Sequence, residues 1–160
     1  MLIEMSVKGL MIDPVQSVPI IILRDADNQR ALPIWVGPVE ANAIALQIEN
    51  VSPARPMTHD LLRNLLEELG ATLRRVVISD LRGGTFYAYL ELHRDGEVLF
   101  VDARPSDAIA VSMRARAPIF VDTRVLDQVR SVEVSTDRTE REHLQKWLES
   151  LDPDDLGYKM

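Results

Sequence analysis

The sequence predicts an α+β domain: a mixed, curled β-sheet built from hairpins, with helices packed on it. Three observations predict it. Strand-like segments come in pairs around short turns, helical periodicities interrupt those pairs, and strict strand–helix–strand alternation is absent. Hydrophobic residues make up 46% of the 160 positions and charged residues 27%, enough apolar material for one core. Aromatic residues reach only 5%, so Val, Ile, Leu and Ala must build that core.

Residues 2–8 alternate Ile3, Met5 and Val7 with Leu2, Glu4, Ser6 and Lys8, the period of a half-buried strand. Residues 17–24 and 30–36 flank the turn-rich stretch 25–29 and read as a hairpin. Gly37-Pro38-Val39-Glu40 opens a helix: Pro38 suits the first helical position, and Glu40 faces the positive helix end. Small residues continue that helix to Ile48 and imply close packing. Residues 50–57, with Pro53 and Pro56, form a connector. Thr58 is expected as the N-cap of a second helix whose stripe is Leu61, Leu62, Leu65, Leu66 and Leu69, with Gly70 as its stop.

Strands follow over 73–79 and 85–93 around Gly83-Gly84, then over 98–103 beyond the turn Arg94-Asp95-Gly96-Glu97. Arg104-Pro105-Ser106-Asp107 launches a third helix to about Arg116, with Ser106 expected as a cap. Residues 119–121 form a short strand and 123–128 a short helix. The organisation is a domain over 1–135, then an amphipathic helix marked by Leu144, Trp147, Leu148 and Leu151 and an acidic tail, over 136–160.

The chain has no cysteine, which excludes disulfides, thiolate metal sites and a cysteine nucleophile. No apolar run reaches the ~20 residues of a membrane span, and the expected location is cytoplasmic. The net charge of −7 excludes nucleic-acid binding through the overall field, so phosphate recognition requires a local arginine cluster.

Polar chemistry concentrates at the three helix starts. One reading makes Thr58 and Ser106 caps and Glu40, Asp60 and Asp107 partners of helix dipoles. The other combines them. Arg55 and Arg104, preceding two helix starts, supply forked donors for phosphate, with Thr58 and Ser106 beside them. Glu40, Asp102 and Asp107 offer oxygen ligands to Mg²⁺ or Mn²⁺. His59, with Asp60 and Asp107 in the catalytic group, serves as general base or acid. Together they suit metal-assisted phosphodiester hydrolysis of nucleic acid. Arg74, Arg75, Arg82, Arg114 and Arg116 form either a basic track or a set of solvated and salt-bridged arginines. Tyr87 and Tyr89 share a strand face, to cover the sheet or to stack on unpaired bases.

The stretches 32–37 (LPIWVG) with Glu40-Ala41, 55–62 (RPMTHDLL), 83–88 (GGTFYA), 101–110 (VDARPSDAIA) and 118–121 (PIFV) resemble the bifunctional nuclease family in order across residues 5–130. That resemblance implies an α+β fold, self-associating subunits with a dimer as the expected state, and cleavage of both DNA and RNA. The positions it carries over are Glu40, Arg55, Thr58, His59, Asp60, Asp102, Arg104, Ser106 and Asp107. The alternative from the residues alone is a non-catalytic module that binds an anion or a protein partner, with Arg104 paired to Asp60.

Overall fold

A computed structural model describes residues 1–135. In chain order the elements are β1 (Leu2–Ile12), β2 (Pro19–Asp25), β3 (Ala31–Trp35), α1 (Pro38–Ile48), α2 (Thr58–Glu68), β4 (Thr72–Arg82), β5 (Thr85–Arg94), β6 (Glu97–Ala103), α3 (Pro105–Ala115), β7 (Ile119–Asp122) and α4 (Thr123–Ser135). The strands form one sheet in the order β3-β2-β1-β7-β4-β5-β6. Every neighbouring pair is antiparallel except β4 with β7. The sheet is thus two antiparallel meanders joined through β7, which makes the α+β expectation correct. The amphipathic helix and tail expected over 136–160 lie outside the described residues.

Two strands run longer than their alternation suggests, and both contain bulges. The register of β1 against β2 shifts between Val7 and Gly9. That shift breaks the period of two where the pattern gives out, while the strand continues to Ile12. Shifts at Leu73/Arg75 and Ile78/Asp80 do the same in β4.

The core lies between the sheet and its helices. Ile21, Leu23, Leu32, Ile34, Val76, Ile78 and Val121 meet Ile44 and Ala45 of α1 and Ala108, Ile109 and Val111 of α3. The small residues of α1 and α3 allow this close packing, since a helix face of Ala brings backbones together. The α2 helix is placed as the leucine spacing predicts, but its stripe is not buried. Leu61, Leu62, Leu65 and Leu69 are 41–57% exposed, and only Leu66 packs against the core. The reason is that α2 docks mainly through its first turn, where His59 is its one buried residue.

Candidate active site at three helix starts

Each of α1, α2 and α3 begins with the same arrangement, an acidic side chain at the third helical position. These are Glu40, Asp60 and Asp107. The caps themselves differ from the sequence expectation. Met57, not Thr58, occupies the N-cap of α2, and its N–H donates to Asp60 Oδ2 at 2.9 Å. Arg104 is the N-cap of α3, so Ser106 lies inside the first turn, buried behind Pro105. At α3, Pro105 takes the first helical position and the cap falls two residues before Ser106; at α2 it falls one residue before Thr58.

Arg104 joins two of these acids. Its Nη2 donates to Glu40 Oε1 at 2.8 Å and its Nε to Asp107 Oδ2 at 2.9 Å. The other oxygen of Asp107 lies 2.9 Å from His59 Nε2. Four residues from three helix starts therefore form one chain: Glu40, Arg104, Asp107 and His59. The Arg104 side chain remains 65% exposed, while that of His59 is 10% exposed. Arg104 Nη1 and His59 Nδ1 have no bonded partner among the described residues. The guanidinium is available to a ligand at the surface.

The charges are set by these contacts. Burial pushes the Asp107 carboxyl up, but hydrogen bonds from His59 and Arg104 outweigh it and hold the carboxyl below its ordinary value. Glu40 is lowered by its own backbone N–H and then by Arg104, whose guanidinium is raised in return. Gly37 makes the Glu40 position possible. A Cβ there would collide with Glu40 Oε2, which folds back over the start of α1.

Asp60 belongs to a different arrangement. Its Oδ1 accepts from Arg114 Nε at 2.7 Å. Arg114 also donates to the carbonyls of Ala110 at 2.8 Å and Ala43 at 2.9 Å. With its side chain only 3% exposed, Arg114 ties α1, α2 and α3 together. The pairing of Arg104 with Asp60, part of the non-catalytic alternative, does not occur. Of the two readings of the arginines, Arg114 follows the salt-bridged one. The available signal was spacing, because Arg114 falls two turns after Asp107 on the face that buries Ala110 and Val111.

The remaining candidates are not drawn in. Asp102 is exposed on β6 opposite Tyr89, and alternation places it on the sheet face away from Ala103 and the helices. Arg55 and Thr58 are exposed before and at the start of α2. Arg75 pairs with Glu91 and Arg82 with Asp80, so neither extends a free basic track.

The donor set does not fit a divalent cation. Asp107 uses both oxygens, Glu40 is engaged by Arg104 and its own backbone, and Asp102 faces elsewhere. Among the described residues no group of three or more acidic, imidazole or thiol side chains is placed to hold a metal ion.

The α+β sheet thus brings an imidazole, a carboxylate and a guanidinium together at its helix starts. Residues 21–134 match the bifunctional nuclease domain. The chain belongs to the bifunctional nuclease domain family. An uncharacterized protein of Mycobacterium tuberculosis is 42% identical over 162 residues, covering 96% of this chain and 97% of the relative. "Bifunctional nuclease 2" of Oryza sativa subsp. japonica is 32% identical over 121 residues, covering 72% of this chain and 37% of its own length. "Bifunctional nuclease 1" of Arabidopsis thaliana is 30% identical over 108 residues, with 65% and 33% covered. This chain thus aligns with about a third of each plant protein. No helix among the described residues is long and apolar enough to cross a membrane.

Proposed function

We propose that this protein is a nuclease that hydrolyses phosphodiester bonds of DNA, RNA or both at the Glu40–Arg104–Asp107–His59 chain, in the cytoplasm. The observation that carries the reading is the bond between His59 and Asp107 beside an exposed Arg104. Asp107 accepts from Nε2–H and so leaves the lone pair on Nδ1. That nitrogen takes the proton of an attacking water, or of a ribose hydroxyl, as the new P–O bond forms, and the imidazolium gives it to the departing ester oxygen as the old P–O bond breaks. Arg104 meets the charge that develops on the phosphoryl oxygens, with Nη1 turned outward while Glu40 and Asp107 fix the guanidinium plane. Arg55 and Thr58 extend phosphate contact along the start of α2, where backbone N–H groups are free to help. Ser106 is buried in the first turn of α3.

No step passes through Mg²⁺ or Mn²⁺, because Glu40 and Asp107 are held by Arg104 and His59 and Asp102 faces elsewhere. Cleavage assays on single- and double-stranded DNA and RNA, with and without chelator, test it. Cleavage by the wild type that is lost in His59→Ala and Asp107→Ala supports the site. Cleavage unchanged in both variants removes it. Activity abolished by chelator restores a metal role.

A second reading is favoured by one observation: Glu40, Asp60 and Asp107 are each neutralised by an arginine of this chain. In that reading the site is an architectural joint within a non-catalytic module that binds an anion or a protein. Wild type that cleaves none of the four substrates, with variants that melt earlier, selects it.

A further inference from the structure

We propose that the C-terminal segment of this same chain lies antiparallel on the exposed leucines of α2 and sets Asp152, Asp154 and Asp155 over Arg104, an acidic plug that substrate phosphate must displace. The regulatory half of this inference rests on the nuclease reading, and the docking does not.

An apolar stripe faces water along the whole of α2. Leu61, Leu65 and Leu69 follow one another at i, i+4 and i+8, flanked by Met57 and Leu62, and all five are exposed. Together they leave on the order of 400 Å² of apolar surface in water, the size of a functional patch on a monomer.

The chain carries a matching stripe of its own. Residues 136–160 lie outside the described residues, and their sequence sets Leu144, Trp147, Leu148 and Leu151 at helical spacing. As a helix, Leu144 to Leu151 would run about 10.5 Å, against about 12 Å from Leu61 to Leu69. The tether is long enough. Residues 136–143 span up to about 26–29 Å beyond α4, about twice the radius of gyration of a domain this size. They leave from the same core, on which Leu66 of α2 and Val129 of α4 both pack. A segment on so short a tether is present at roughly millimolar effective concentration, which favours it over any separate molecule.

Charge selects the direction. Glu67 and Glu68 are exposed at the end of α2, while Arg55 is exposed before its start, where the Arg104 side chain is also exposed. Beyond Leu151 come Asp152, Pro153, Asp154 and Asp155, with the proline to stop the helix. A parallel arrangement sets these three aspartates beside Glu67 and Glu68, like against like. The antiparallel one sets Leu144 by Leu69 and Leu151 by Leu61, and carries the aspartates past the start of α2. There they meet Arg55 and Arg104, the donors assigned to phosphate.

The test uses the absence of cysteine in the full-length chain. Leu69→Cys with Leu144→Cys, and Thr58→Cys with Asp154→Cys, should each form a disulfide within one chain on mild oxidation. Leu69→Cys with Leu151→Cys should not. A link between 69 and 151 in place of 69 and 144 reverses the direction and overturns the proposal. Links that join two chains, or no links at all, overturn it as well. Trp147 gives a second measurement in Trp35→Phe protein. Its emission should lie to the blue and move to the red in Leu65→Asp, and emission already at the solvent-exposed position overturns the docking. Replacing Asp152, Asp154 and Asp155 together by Asn should raise cleavage about 5-fold or more, the lower end of usual coupling between sites. An unchanged rate removes the plug. A chain that cuts nothing with or without the three aspartates sinks the nuclease reading alone, because links and emission are read without substrate.

Discussion

His59 Nε2 and Asp107 Oδ1 lie 2.9 Å apart, although 48 positions separate the two residues. The bond links the first turn of α2 to the first turn of α3, and it fixes which ring nitrogen faces outward. His59→Ala should lower nuclease turnover about 10²–10⁴-fold, the usual contribution of a positioned acid or base. Asp107→Asn should lower it while the protein remains folded. Single-turnover cleavage beside circular dichroism measures both.

Arg104→Lys should be far from conservative. A point charge on a flexible stem cannot hold Glu40 and Asp107 in one plane and still face a phosphate. Turnover should fall about 10²–10³-fold, as on loss of one preorganised donor. Substrate titration in the cleavage assay separates the fall in turnover from any change in KM.

Gly37→Ala should disturb the site from the backbone side. The added methyl occupies the space of Glu40 Oε2 and must displace that carboxylate from the start of α1. Gly37 is exposed with extended backbone, and the group to be moved is the end of a flexible side chain, so the fold should lose little. A thermal melt should stay close to wild type, while nuclease turnover falls because Arg104 loses its anchor on Glu40.

Arg114→Met should destabilise by about 3–5 kcal/mol, because it leaves Asp60 and two carbonyls without their buried donor. Asp60→Asn combined with Arg114→Met should cost less than the two changes added together, since they share one interaction. Chemical denaturation of the single and double variants gives the coupling.

Stability should be flat at neutral pH and decline in acid. Glu40, Asp60 and Asp107 are held below ordinary values of 4.5, 3.8 and 3.8. For a lowered carboxylate the stabilisation is complete above the unfolded value and disappears as pH falls through the folded one. The Tm should thus hold down to about pH 5 and drop below about pH 4. The drop should be shallower in the Asp60→Asn, Arg114→Met double variant.

Much of this architecture is written locally. Hairpin turns at Asp95-Gly96 and Gly83-Gly84, Pro38 and Pro105 at helix starts, and the acids behind them are short-range signals. The convergence of Glu40, His59, Arg104 and Asp107 follows from their places at helix starts once the starts meet. Closeness in sequence to Arg104 suggests that Asp102 joins the site, but Arg104 has already left β6 as the cap of α3, while alternation within β6 holds Asp102 on the face away from Ala103. The ion-paired reading of the arginines covers Arg114, but nothing short-range marks its partners on the other two helices, Asp60 and Ala43. The leucines of α2 show the converse: periodicity gives the helix, but depth of burial depends on which neighbours arrive.

The seam at β7 has a consequence for how the polypeptide is made. Leu2 pairs with Asp122, and Ile78 pairs with Val121 on the strand's other flank. β1 must therefore wait until β7 has been synthesised before the two meanders can be stitched together. Until then each holds an open edge at what becomes the middle of the sheet. Such long-range closure slows folding and exposes nascent chains to mispairing. A chain cut before Ile119 should leave two unjoined halves rather than a shortened version of the protein.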